Sequence, residues 1–260
     1  IATNLKKYFK SKKIYFKDVD FKRFIKNQKF FTKRFNLVIN CSSNKNFVNK
    51  KYLFKNDYDS RIANIIKKFK IKLIIISTRK VYLPKYNLSE NNKTFPKCNY
   101  SRNKLKAEKT CSKLLRDKLL VLRVSNIIGL PVKNPRKLHK TFIDIFFENA
   151  CKGLIYENYN SYKDFISVNQ FSKIIISLAK SKAYGIYNVS LGKKVYLNKI
   201  VNWLNFYNSR KVVRIDSINS FNNDNFTLNN KKLKNKINFD NSLVKLRKEC
   251  LSLSKQIFKI

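Results

Sequence analysis

The chain has 260 residues, with 58 Lys+Arg against 15 Asp+Glu and 43% hydrophobic residues. That length and apolar content suit a buried core and exclude a wholly disordered polyelectrolyte. The positive charge runs from end to end, beside abundant Asn, Ile, Phe and Tyr, the amino acids of AT-rich codons. Compositional drift explains such a spread better than a nucleic-acid site, which clusters its cations. A basic surface still attracts phosphorylated ligands.

Five cysteines, at 41, 98, 111, 151 and 250, form no C-x-x-C pair, and His139 is the single histidine. A disulfide framework, a zinc site and a His-based triad therefore lack support, and no metal is expected. No apolar run approaches 18 residues and no secretory leader is visible. The expectation is a soluble protein of a reducing, cytoplasmic compartment with no membrane span.

The opening "IATNLKKYF" reads as a helix already under way. "NLVINCSS" (36–43) reads as a buried strand and loop, and "SRIANIIKKF" (60–69) carries apolar residues at helical spacing. "IKLIIIST" (71–78) is a second strand ending in two hydroxyls. "YSRNKLKAEKTCSKLL" (100–115) is a helix, and "LLVLRVSNIIG" (119–129) a third strand. Near-continuous apolar strands alternating with helices predict a parallel sheet covered on both faces, an α/β fold. Such sheets bind ligands at the carboxyl ends of their strands. Cys41-Ser42-Ser43, Ser77-Thr78 and Ser125-Asn126 all stand at such ends.

Further on, 141–153, 169–181 and 197–207 read as helices. Strands are expected within 154–168, at 185–190 and at 211–216, and a last helix closes the chain. The most linker-like stretch is 217–225. Cys151 and Trp203 read as core, and His139 as surface.

Tyr100 and Lys104 lie one turn apart on a helix, hence on one face. A phenol with a pKa of about 10 is a poor acid-base group at neutral pH. A nearby ammonium lowers that pKa, and the tyrosine can then exchange a proton with a substrate oxygen. In a chain this rich in both residues, the spacing alone is weak.

Its company makes it specific. "INCSSN", "IISTRKVY", "PKCNYSRNKLKAE", "LRVSNIIG", "KDFISVNQFSKII", "GIYNVSLGKKVYLNKIVNWL" and "LNNKKLKNKINF" follow one another in order. Together they resemble the extended short-chain dehydrogenase/reductases, the NAD-dependent epimerase/dehydratase group acting on nucleotide sugars. The resemblance runs along nearly the whole chain. It implies a Rossmann-like doubly wound parallel sheet with a small C-terminal substrate-binding α/β domain. The cofactor unit would span 1–129 with about 163–190, and the substrate lobe about 130–162 with 191–260.

Carried over, Tyr100 is the acid-base tyrosine, and Lys104 binds the nicotinamide ribose and tunes it. Thr78, three residues before Val81, is the active hydroxyl, with Ser77 supporting the strand end or touching substrate. Asp18, Cys41, Ser42, Ser43, Tyr100, Lys104, Ser125 and Asn126 are expected to line an NAD or NADP site. Lys17 beside Asp18 leaves the choice between the two open. Arg79, Asn126 and Lys163 are expected to face substrate, and Arg123 is a second candidate for a nucleotide diphosphate. Partners implied are a nucleotide-sugar substrate and, as an option, a second copy of the chain.

Three departures matter. The family's glycine-rich loop, whose glycines let backbone approach the pyrophosphate, is missing. The expectation is that it precedes Ile1; genuine loss would favour a non-catalytic relative binding RNA or protein through its basic surface. Arg79-Lys80 stand where 4,6-dehydratases carry Asp-Glu, which argues against dehydration and leaves an epimerase or reductase. Asn169 and Asn238 replace a common Asp and Gly.

Overall fold

The computed structural model describes residues 1–6, 35–130, 141–216 and 224–258. The expectations on Lys17, Asp18 and His139 lie outside the described residues.

Strand β1 (Leu37–Asn40) leads through α2 (Lys45–Asn49) to α3 (Tyr58–Ile66), and then to β2 (Lys72–Thr78). Here α1 is Ala2–Leu5. Helix α4 (Asn99–Leu115) returns the chain to β3 (Leu119–Val124), and β8 (Gly185–Val189) completes the sheet. The order is β1-β2-β3-β8, all parallel. Alternation along β2 and β3 sends side chains to two faces. Leu73, Ile75, Leu119 and Val121 pack with Ile62 and Ile66 of α3 and Cys111 and Leu115 of α4. Ile74, Leu120, Leu122 and Val124 join the other core, with Phe171, Ile174 and Leu178 of α6 (Val168–Lys180). Helices therefore cover both faces, as the strand pattern predicted, and the architecture is the doubly wound, Rossmann-like α/β that the resemblance implied.

Helix starts follow local chemistry. Asp57 accepts from Ser60 N at 3.1 Å and opens α3. Ser167 and Gln170 cap each other's backbone at the start of α6.

The stretch 119–129 is two strands, not the one expected. At Ser125 the chain leaves the main sheet, and β4 (Asn126–Ile128) pairs with β7 (Phe165–Ser167) instead. Between α5 (Phe142–Cys151) and β7 come β5 (Leu154–Glu157) and β6 (Tyr162–Lys163). β6 pairs with β9 (Val195–Tyr196), and β5 runs parallel to β10 (Val213–Asp216). Helices α7 (Leu197–Asn205) and α9 (Leu243–Phe258), either side of α8 (Lys231–Lys236), pack onto the α6 core.

Cys151, expected in the core, is exposed, because it ends α5 beyond that helix's buried face. Trp203 is partly buried against the main core. Of the linker-like stretch, Asp224 and Asn225 are described and are tied down: Asn225 Oδ1 accepts from Tyr162 N at 2.9 Å. Among the described residues, no helix is long and apolar enough to cross a membrane.

Candidate active site

Parallel pairing brings the carboxyl ends of β1, β2 and β3 to one edge of the sheet. Cys41-Ser42-Ser43, Thr78 and Ser125-Asn126 all follow those ends. The hydroxyls of Ser43 and Ser125 are buried and have no partner among the described residues. A buried polar atom without a partner is costly, so this edge keeps hydrogen-bonding capacity open for a polar ligand. Burial raises the Cys41 thiol to about 11, so it stays protonated and is no nucleophile at neutral pH.

Tyr100 stands in the first turn of α4, with Lys104 one turn on. Burial pushes the Tyr100 phenol up and Lys104 pulls it down. Asp59 and Cys98 push it up again, and a hydrogen bond with Thr78 opposes them; the net direction is up. Thr78 also accepts from Lys80 N at 3.2 Å, which fixes its hydroxyl at the β2 exit. Thr78, Tyr100 and Lys104 thus come together around the phenol.

Sequence reasoning missed the carboxylate among them. Lys104 Nζ donates to Asp59 Oδ2 at 2.9 Å, and both side chains are buried. Asp59 Oδ1 accepts from Asn40 Nδ2 at 2.6 Å. Asn40 Oδ1 in turn accepts from Ser42 N and Ser42 Oγ, at 3.1 and 2.7 Å. Burial alone would lower the Lys104 ammonium; Asp59 and Tyr100 outweigh it and hold it above its ordinary value.

Ser77 and Arg123 turn away from the sheet edge. Ser77 lies on the opposite face of β2 from its neighbour Thr78, and its hydroxyl donates to buried Glu108. Arg123 grips the same carboxylate, with Nη2 2.6 Å from Oε2, and reaches Tyr82 Oη at 2.7 Å. Strand alternation is the reason: both side chains point under α4, away from the sheet edge. Ser77 therefore supports the strand end, and Arg123 is a structural cation.

Arg79 and Lys163 converge, on an internal partner. Arg79 holds both oxygens of Asp224, at 2.7 and 2.5 Å, and Lys163 Nζ lies 2.9 Å from Oδ2. Despite burial, the two cations keep the Asp224 carboxyl down at about 2. Arg79 also lies flat over Phe226, 3.9 Å from the ring centre. Asn169 links Asn4 of α1 to Glu249 of α9.

Asp164, next to Lys163, is fully buried. Its Oδ2 accepts from Leu228 N at 3.0 Å and Gly192 N at 3.2 Å, while Oδ1 has no partner among the described residues. Burial raises its pKa to about 7, above the unfolded value of about 3.9. The folded state therefore holds the extra proton between those values. The stabilisation is full below about pH 4 and is lost as pH rises through about 7. Over three units that is about 4 kcal/mol. Denaturant melts of wild type and Asp164→Asn across pH 4–8 are expected to show wild-type stability falling relative to the variant.

The sequence matches no protein-family model and no curated protein. Solved structures match the fold. A UDP-N-acetylglucosamine 4-epimerase from Methanobrevibacter ruminantium, in complex with UDP-N-acetylmuramic acid, is 23% identical over 77% of this chain and 68% of its own, with a TM-score of 0.64. A UDP-glucuronic acid 4-epimerase from Bacillus cereus in complex with NAD is 15% identical over 90% and 78%, with a TM-score of 0.69. A dTDP-4-dehydrorhamnose reductase from Clostridium acetobutylicum is 15% identical over 89% and 86%, with a TM-score of 0.67. Epimerases, a dehydratase and a reductase are among the matching structures. The chain has their fold.

Proposed function

We propose that the protein is an NAD- or NADP-dependent nucleotide-sugar epimerase or reductase with Tyr100 as its acid-base group. The observation that carries this reading is the meeting of Thr78, Tyr100 and Lys104 at the carboxyl edge of a Rossmann-like sheet. Structures sharing the fold hold NAD or NADPH, and the residues present fit such a group. Ser43 and Ser125 offer unpartnered hydroxyls, and Lys104 has donors left after pairing with Asp59. A bound nicotinamide supplies or accepts the hydride at a sugar carbon. Thr78 holds the sugar oxygen, Tyr100 gives or takes its proton, and Lys104 orients the ribose. The cofactor unit is read as 1–129 with about 163–190, and the rest as substrate lobe; the setting is cytoplasmic.

The phenol's net upward shift keeps Tyr100 protonated at neutral pH. That form serves the reducing direction, in which a ketone oxygen must receive a proton. The test is incubation with a panel of UDP-, dTDP- and GDP-linked sugars and 4-keto sugars, with NAD(H) and NADP(H). Stoichiometric nicotinamide oxidation marks a reductase, and sugar inversion without net oxidation marks an epimerase. Salt-sensitive RNA binding with no cofactor binding would overturn both.

Asp224 competes with any substrate anion for Arg79 and Lys163. Asp224→Asn is expected to tighten nucleotide-sugar binding roughly tenfold, about 1.4 kcal/mol. Calorimetric titration with UDP-sugar checks this.

A further inference from the structure

A buried ion pair is a poor stability device, since a well-packed apolar pair often does as well or better. The Asp59–Lys104 pair is buried on both sides, so it calls for another explanation. An acid in the first turn of α3 complements that helix's dipole, but a solvated one would serve equally. Asp59 instead turns inward and divides its oxygens. One takes the Lys104 ammonium and the other takes Asn40, which holds the Ser42 backbone and hydroxyl. One carboxylate thereby ties α4 to the loop that follows β1.

We propose that Asp59 is a positioning residue that pins Lys104 and the β1 exit loop together and offsets the ammonium's charge, so that Tyr100 rests as a proton donor. The proposal deepens the reading of Tyr100 and Lys104 given above and rests on it for its catalytic meaning. Among the described residues, the charged and polar groups that act on Tyr100 come from three elements. Lys104 and Cys98 come from α4 and its cap, Asp59 from α3, and Thr78 from β2. Lys104 additionally feels Asp57 and stacks on Phe47 of α2, 5.5 Å from its ring centre. Lys104 is the cation among the groups facing Tyr100, and Asp59 is its direct partner.

The test is a pH titration of Tyr100 in protein labelled with 13C at the tyrosine ζ carbon, without cofactor. Tyr100→Phe assigns the signal. In wild type Tyr100 is expected to titrate above the ordinary tyrosine value of about 10. Asp59→Asn should move the titration downward, because the lysine charge is no longer offset; Asp59→Glu should restore it. An unmoved or raised titration in folded Asp59→Asn overturns the proposal. Should Asp59→Asn not fold, Asp59→Ser gives the second test: a titration moved downward supports the role, and an unmoved or raised one overturns it. The readout needs no turnover. A shifted titration without nucleotide-sugar turnover keeps the role of Asp59 and sinks the enzyme reading. Turnover with an unmoved titration does the reverse.

Discussion

Tyr100→Phe is expected to lower turnover of the nucleotide sugar by about 10²–10⁴-fold, the range that a positioned proton donor contributes. The substitution removes one oxygen and keeps the ring, so α4 and its core contacts stay as they are. Cofactor affinity should change little, because Lys104, Ser43 and Ser125 remain. Steady-state kinetics with a cofactor titration in parallel checks both halves. A fall in kcat with KM near wild type is expected, since the interaction lost is one made in the transition state. Unchanged kcat would remove Tyr100 from the chemistry and leave the shared fold without its proposed reaction.

Glu108→Ala is expected to cost about 3–5 kcal/mol of stability, the loss seen when one partner of a buried ion pair is removed. Glu108 and Arg123 are both buried, and the carboxylate accepts from Ser77 as well. Its removal strands the Arg123 guanidinium, which has no exit to solvent. The double variant Glu108→Leu with Arg123→Met should recover much of the loss, because it leaves no uncompensated charge. Chemical denaturation of the single and double variants measures both. A loss below about 1 kcal/mol, typical of solvated pairs, would mean that water reaches Arg123.

Tyr100 and Glu108 also show how far a sequence reads. Both belong to one segment, Y-x-x-x-K-x-x-x-E, and all three side chains repeat at helical spacing. Helical spacing placed Tyr100 and Lys104 on one face of α4. It could not say that Glu108 lies under the sheet gripping Arg123, since that contact joins α4 to β3. Arg123 accordingly read as either a cation for a diphosphate or a structurally paired one, and Ser77 as either support for the strand end or a neighbour of substrate. Alternation along β2 separates Ser77 from Thr78, but which of the two faces the ligand is decided by where α4 packs.

Local patterns along the chain were enough for the α/β class, the parallel sheet and the three strand ends that meet at one edge. Those follow from local periodicity and from small polar residues closing apolar runs. The Tyr100–Lys104 spacing was equally legible, because a helix brings i and i+4 together whatever surrounds it. The charges around them were settled by the packing of distant elements. Asp59 lies 45 residues from Lys104, and Asp224 lies 145 from Arg79. Among 58 basic side chains, no spacing rule singles out which carboxylate pairs with which cation. Long-range ion pairs depend on the packing of distant elements, so the folded chain alone shows which cations are already held by a carboxylate and which buried hydroxyls remain open.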